Sequence, residues 1–165
     1  KLSSALRDLG VCKGDRVAGF MPNIAEAVIA MLATTSIGAI WSSSSPDFGI
    51  KSVTDRFSQI EPRVIFSASA YLYNGKTFSS IDKLQKIIKE LPTIEKVIIV
   101  DYLKTKPDYS EIPKSVDYST LISKIPDPLE FEQVPFDGSL FTLVAFVFPG
   151  KRKGEDQDVQ GVRGE

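Results

Sequence analysis

One short run of apolar residues constrains the fold of this chain more than any other feature. Residues 97–100 read Val-Ile-Ile-Val, with no polar residue between them. A strand that is apolar at every position has to be covered on both faces, which is typical of parallel sheets flanked by helices. Residues 64–66, Val-Ile-Phe, form a second such run. The two runs therefore predict a parallel sheet inside a layered α/β protein.

Helical stripes of apolar residues alternate with the predicted strands, and two further short strands are expected at 16–20 and 39–41. Apolar residues recur three or four positions apart in four stretches, residues 2–9, 24–32, 50–60 and 81–91. Asn23 and Asp47 are expected to cap the helices that follow them. The predicted fold class is α/β, a layered, mostly parallel sheet with flanking helices and right-handed crossovers.

Other segments are predicted to be irregular. Residues 42–46, Ser-Ser-Ser-Ser-Pro, predict a loop, and Asn74-Gly75 predicts a turn. Residues 102–137 carry prolines and scattered charges and predict a long surface excursion. Residues 140–148 predict one more buried strand, and the polar composition from Pro149 onward predicts disorder.

Composition excludes several classes of function. Lys plus Arg number 20 and Asp plus Glu number 21, so we expect no nucleic-acid or membrane partner. The chain has no histidine and a single cysteine, which removes histidine-based triads and most zinc sites. Cys12 is expected to be an ordinary buried or half-buried thiol. The glycine patterns of dinucleotide-binding and P-loop proteins are also absent. We therefore predict no catalytic and no metal-binding residue.

The serine run leaves two interpretations open. Residues 42–45 form either a plain linker or a loop whose hydroxyls and amides face a ligand. Trp41 beside them is expected to lie in the core rather than to stack on a ligand.

Several motifs together resemble a known family. Residues 9–18 (Leu-Gly-Val-Cys-Lys-Gly-Asp-Arg-Val-Ala), followed by Met-Pro-Asn at 21–23 and Glu26, are similar to adenylate-forming enzymes. These comprise acyl-CoA synthetases, luciferases and peptide-synthetase adenylation domains. The stretch Trp-Ser-Ser-Ser-Ser-Pro-Asp-Phe-Gly at 41–49 resembles more narrowly the acetoacetate–CoA ligase branch of that family. The same branch is resembled by three other segments, residues 55–62, 73–76 and 129–136.

The resemblance covers about residues 1–141 and implies part of the large N-terminal domain of an adenylate-forming enzyme. It implies a cytosolic ligase that converts acetoacetate, ATP and CoA into acetoacetyl-CoA, AMP and pyrophosphate, with Mg²⁺ assisting. It also implies that Ser44 and Ser45 border the pantetheine channel of CoA. Lys76 would meet the 3′-phosphate of CoA. The other interpretation of Lys76 is a solvated turn lysine.

The sequence departs from the family after about residue 141. A Ser/Thr/Gly-rich phosphate loop should follow the strand that begins near Leu140, but residues 147–153 read Val-Phe-Pro-Gly-Lys-Arg-Lys. We therefore expect residues 142–165 to be a divergent strand and a tail foreign to the family. The 165 residues alone are expected to be inactive, and none of ATP, CoA and Mg²⁺ is expected to bind productively to them. Two alternatives remain: a non-catalytic truncated isoform or gene-model fragment, and an unrelated small doubly wound ligand-binding module.

Overall fold

The structure, a computed structural model, describes residues 1–125 and 127–143. Five helices and seven strands lie in this part of the chain. In chain order they are α1 (Leu2–Asp8), β1 (Arg16–Phe20), α2 (Ala25–Ser36), β2 (Ile40–Ser44), α3 (Ile50–Ile60), β3 (Val64–Ala68), β4 (Ala70–Tyr73), β5 (Lys76–Ser79), α4 (Ile81–Glu90), β6 (Lys96–Val100), β7 (Ser115–Asp117) and α5 (Tyr118–Leu121).

The main sheet has five strands in the order β2-β1-β3-β6-β7, and every neighbouring pair is parallel. The predicted layered α/β fold is thereby confirmed. Counting only the strands of this sheet, the order is 2-1-3-4-5, so the chain changes direction across the sheet between β1 and β3. In doubly wound sheets the crevice at such a switch point, outside the carboxyl ends of the strands, is the usual ligand site.

Both faces of the sheet are covered, as the apolar runs predicted. Successive side chains of a strand point to opposite faces, so Val17 lies in one core and Ala18 in the other. The first core packs the sheet against α1, α2 and α5, and it includes Trp41. The second packs the sheet against α3 and α4. The result is a three-layer arrangement with a buried parallel sheet.

The loop expected at residues 42–46 is wrong for its first three residues. Residues 42–44 belong to β2, whose register pairs Gly19 with Ser43 and Phe20 with Ser44. The error arises because serine favours turns by bonding to nearby backbone, whereas here the neighbouring strand β1 supplies the backbone partners. The strand also begins at Ile40 rather than at residue 39.

The surface excursion expected at residues 102–137 is only partly correct. It contains the sheet strand β7 and the helix α5, and Ile112 is 2% exposed. A strand of three half-buried residues is too short to produce a periodic apolar pattern.

The later part of that excursion passes over α1 and the end of α2. Arg7 donates to the carbonyl of Glu130 at 2.8 Å, and Lys13 donates to that of Gln133 at 2.8 Å. The chain then reaches the free edge of β2, where Phe141 bridges Trp41 in parallel. Of the strand predicted over 140–148, residues 144–148 lie outside the described residues, as does the tail from Pro149.

The structure confirms the predicted turn but not the two predicted helix caps. The Asn74-Gly75 turn is confirmed: both residues have positive φ and join β4 to β5 in an antiparallel hairpin. The two predicted caps are wrong, because α2 and α3 are preceded by Ile24 and Gly49 in extended conformation with no capping side chain. Asp47 instead accepts a hydrogen bond from the hydroxyl of Ser45. No helix in residues 1–125 or 127–143 is long and apolar enough to cross a membrane.

Candidate functional site

A small cavity lies at the carboxyl edge of the sheet, beside the switch point. It has a volume of about 220 Å³. Its walls come from the segment after β1, the end of β2 with the turn that follows, and β4. The lining residues are Met21, Pro22, Asn23, Ser43, Ser44, Ser45, Asp47, Tyr71 and Leu72. Three chain segments thus converge where the topology predicts a ligand.

Three buried side-chain oxygens have no hydrogen-bond partner within the described residues, and one of them, Oγ of Ser44, belongs to a residue that lines this cavity. Ser44 is 5% exposed, and its Oγ makes no hydrogen bond there. Burying a hydroxyl without a partner costs about 1–3 kcal/mol, so such atoms are rare and often face a ligand or water. The Ser44 Oγ is itself buried, so a polar group held in the cavity would reach it only if neighbouring side chains moved.

Ser45 is engaged within its own turn. Its Oγ donates to Oδ2 of Asp47 at 3.1 Å and accepts from the Asp47 backbone N–H at 3.3 Å. Ser45 therefore shapes the cavity wall, whereas the buried Ser44 hydroxyl has no hydrogen-bond partner in the described residues. That these serines face a ligand stays a prediction.

Lys76 lies apart from the two serines. It is the first residue of β5, is exposed, and pairs in register with Tyr73 next to the hairpin turn. It is not among the residues that line the cavity. The structure therefore brings Ser44 and Ser45 together and leaves Lys76 on the tip of the neighbouring hairpin.

A larger cavity of about 840 Å³ lies at the carboxyl ends of β6 and β7. Sequence reasoning missed it because it falls in the segment interpreted as an excursion. Burial, followed by the charge of Asp117, raises the pKa of Tyr109 there. Asp101 accepts hydrogen bonds from the backbone N–H groups of Thr105 and Lys106, and Asp117 accepts from Thr120. Both carboxylates of the larger cavity are thus engaged in hydrogen bonds to nearby backbone. We therefore regard the smaller cavity as the better candidate site.

No group of three or more His, Cys, Asp or Glu residues that could hold a metal ion occurs within residues 1–125 and 127–143. Cys12 is exposed, which corrects the expected half-buried thiol. Cys12 lies in the loop between α1 and β1. That loop enters the sheet at the amino end of β1. The Cys12 thiol donates to the carbonyl of Gly10 at 3.5 Å.

Comparisons with known proteins agree with the fold and the motifs. Acetoacetyl-CoA synthetase from Macaca fascicularis is 52% identical over 147 residues, which covers 86% of this chain and 22% of that protein. Malonamoyl-CoA synthetase from Penicillium aethiopicum is 37% identical over 150 residues, covering 87% of this chain and 21% of that protein. The solved acetoacetyl-CoA synthetase from Streptomyces lividans superposes with a TM-score of 0.76 at 43% identity, covering 84% of this chain and 21% of that one.

This chain thus spans about a fifth of the length of the curated relatives it matches. The family described as "AMP-binding enzyme" matches residues 1–136. That match rules out the alternative of an unrelated doubly wound module. The similarity to acetoacetyl-CoA synthetases confirms the narrower resemblance carried by the Trp-Ser-Ser-Ser-Ser-Pro-Asp-Phe-Gly stretch. The chain belongs to the AMP-binding enzyme family.

Proposed function

We propose that this chain forms part of an ATP-dependent ligase that joins acetoacetate to CoA. The observation that carries the proposal is the similarity to acetoacetyl-CoA synthetases. One relative is 52% identical in sequence, and a solved structure superposes with a TM-score of 0.76 at 43% identity. The parallel sheet with its switch-point cavity supports it, because ligands of such sheets bind at that edge. The cytosolic location expected from the resemblance belongs to the same proposal.

The proposed reaction has two steps. The carboxylate of acetoacetate attacks the α-phosphate of ATP, forming an acyl-adenylate and releasing pyrophosphate, and the thiol of CoA then displaces AMP. Adenylation is needed because a carboxylate is a poor electrophile and AMP is a good leaving group. ATP, CoA and Mg²⁺ are the proposed cofactors of the whole protein. The described residues contribute the CoA side of the site rather than the phosphate-binding side.

On the CoA side, Ser44 and Ser45 would border the pantetheine arm. The unpartnered hydroxyl of Ser44 supports this role, because the pantetheine arm carries amide carbonyls that could accept its hydrogen bond once the buried oxygen is uncovered. The cavity of about 220 Å³ is smaller than a typical drug-sized pocket, which suits a slender chain better than a nucleotide. Lys76, exposed on the hairpin tip, would meet the 3′-phosphate of CoA as a point charge.

The domain boundary is a further part of the proposal. Residues 1–141 would be the AMP-binding portion, and residues 142–165 would not belong to the family. The family match to residues 1–136 supports the first half of this division. With no Ser/Thr/Gly-rich loop in residues 142–165, residues 1–165 by themselves would not carry out the adenylation step.

The experiment is an acid panel on the complete protein that carries these residues. Pyrophosphate release is measured with ATP, Mg²⁺ and acetoacetate, malonamate, 3-hydroxybutyrate or acetate, and thioester formation is measured after CoA is added. The proposal expects the highest kcat/KM with acetoacetate. Malonamate is included because one relative carries that specificity in its name. A higher kcat/KM with another acid would contradict the proposed specificity for acetoacetate. No turnover with any of the acids would contradict the proposed ligase activity.

A further inference from the structure

The turn that forms one wall of the small cavity is held by two side chains from outside it. Pro46 is buried, and its carbonyl oxygen accepts a hydrogen bond from Nζ of Lys83 at 2.9 Å and another from the hydroxyl of Tyr71 at 3.3 Å. A carbonyl oxygen has two lone pairs, so it can accept both bonds. Lys83 comes from α4 and Tyr71 from β4, which means that three separate elements meet at this one oxygen.

The placement of Lys83 is unusual for a lysine. Its side chain is half-buried and forms no ion pair with a carboxylate in the described residues. Its ammonium instead contacts a neutral carbonyl and lies 5.9 Å from the centre of the Tyr71 ring. Partly burying an ammonium is costly unless its hydrogen bonds are good. A charge-assisted bond to a fixed carbonyl is stronger than a neutral one, so the contact restrains the turn.

Tyr71 is itself fixed. It is 5% exposed and stacks on Phe78 with ring centroids 5.7 Å apart. The same turn is gripped on its other side, where the guanidinium of Arg56 lies 4.5 Å from the centre of the Phe48 ring. Without the bonds to Pro46, the wall formed by Ser45 and Asp47 would retain its internal bonds and the contact of Arg56 with Phe48.

From this geometry we infer that Lys83 is a positioning residue, which together with the cavity-lining Tyr71 sets the shape of the cavity through the Pro46 carbonyl and so controls affinity for the ligand bound there. The inference rests on the proposed function, which makes that ligand CoA. Lys83 does not line the cavity, so it acts on the ligand through the turn and not by contact. Its loss should therefore weaken CoA binding and leave ATP binding unchanged.

The test uses the complete protein that carries these residues. Lys83→Met removes the donor and keeps most of the aliphatic stem, Lys83→Arg restores a cationic donor, and Tyr71→Phe removes only the weaker bond. Lys86→Met is the matched control, an exposed lysine on the same helix with no side-chain bond among the described residues. Ser44→Val tests the cavity itself. KM for CoA and for ATP, kcat, and amide hydrogen exchange over residues 45–49 are measured for each variant.

We expect Lys83→Met to raise the KM for CoA about tenfold and to speed exchange over residues 45–49, while the KM for ATP changes by less than about twofold. Lys83→Arg should recover much of the loss, Tyr71→Phe should show a smaller effect in the same direction, and Lys86→Met should show none. If Lys83→Met does not fold, Tyr71→Phe still tests whether the KM for CoA rises while the KM for ATP stays unchanged.

Two negative results would have different meanings. If Ser44→Val raises the KM for CoA but Lys83→Met and Tyr71→Phe do not, the CoA site stands and the positioning role is refuted. If none of these variants changes the KM for CoA although Lys83→Met speeds exchange over residues 45–49, the assignment of the cavity to CoA is refuted and the affinity claim falls with it. If amide hydrogen exchange over residues 45–49 is unchanged in Lys83→Met, Lys83 does not restrain the turn and the inference is refuted.

Discussion

Replacing Gly19 in the interior strand β1 by a larger residue should destabilise the fold, because the indole of Trp41 lies against it. A Cβ atom added at Gly19 would come within 2.5 Å of Cζ2 and 2.7 Å of Cη2 of Trp41. Trp41 cannot withdraw easily, since it is 2% exposed and packs on Phe66 with ring centroids 6.1 Å apart. Close packing of this kind leaves little room for relaxation.

The cost of Gly19→Ala can be approximated from two opposing terms. Overpacking a core typically costs about 1–3 kcal/mol, and the contact at 2.5 Å favours the upper part of that range. Replacing glycine within a strand recovers about 0.5–1 kcal/mol of backbone entropy. A net loss of about 2 kcal/mol in the free energy of unfolding follows. With an m-value of about 2 kcal/mol/M, the urea midpoint should fall by about 1 M.

The assay is urea unfolding followed by far-ultraviolet circular dichroism, in a double-mutant cycle with Trp41→Leu. If the indole is the obstacle, Gly19→Ala should cost about 2 kcal/mol in the wild-type background and close to nothing in the Trp41→Leu background. Equal losses in both backgrounds would refute the steric reasoning, as would a Gly19→Ala protein as stable as the wild type.

Three further outcomes are expected. Arg63→Met should lower the free energy of unfolding, measured in urea, by about 1–3 kcal/mol, because Arg63 donates hydrogen bonds to Asp15, Glu95 and the Gly10 carbonyl. The control is Lys51→Met, which removes only an exposed ion pair with Asp55. Equal losses in the two variants would count against a stabilising role of Arg63. The hydrogen bond from Arg63 lowers the pKa of Glu95 below its ordinary 4.5, so the stability that Glu95 contributes is present above pH 4.5 and is lost as pH falls through the folded-state pKa. Between pH 6 and 3 the free energy of unfolding should therefore fall less steeply with pH in Glu95→Gln than in the wild type. Equal slopes in the two proteins would contradict this. Residues 1–165 alone should release no pyrophosphate from ATP and acetoacetate above the blank, because loss of even one transition-state donor costs about 10²–10³ in rate; turnover above the blank would contradict it.

The sheet was predictable wherever a strand is apolar along its whole length. β3 and β6 were located because both are buried in the middle of the sheet and read as uninterrupted apolar runs. β7 was missed because it lies at the sheet edge, has three residues and is only half-buried. Edge strands need less apolar surface than central ones, so composition carries little information about them.

The sequence indicated two of the residues that line the candidate site, Ser44 and Ser45, but not the geometry of the site. Serine propensity indicated a loop at residues 42–46, whereas parallel pairing with β1 overrides it through Ser44. The contact between Lys83 and Pro46 joins residues far apart in the chain, and no local pattern could have indicated it. Lys76 was identified by the resemblance alone, and the Asn74-Gly75 turn next to it explains only its exposure.

The measurement that tests the central claim most directly is a comparison of CoA with dephospho-CoA in the complete protein that carries these residues. The two ligands differ only in the 3′-phosphate that Lys76 is proposed to meet. A point charge near a terminal phosphate contributes about 1–2 kcal/mol when partly screened. The KM for dephospho-CoA should thus exceed that for CoA by about tenfold. In Lys76→Ala that preference should disappear through a higher KM for CoA, with the KM for ATP unchanged, whereas Lys86→Ala should behave as the wild type. A preference for CoA that survives intact in Lys76→Ala would contradict the claim that this face of the fold binds CoA through Lys76.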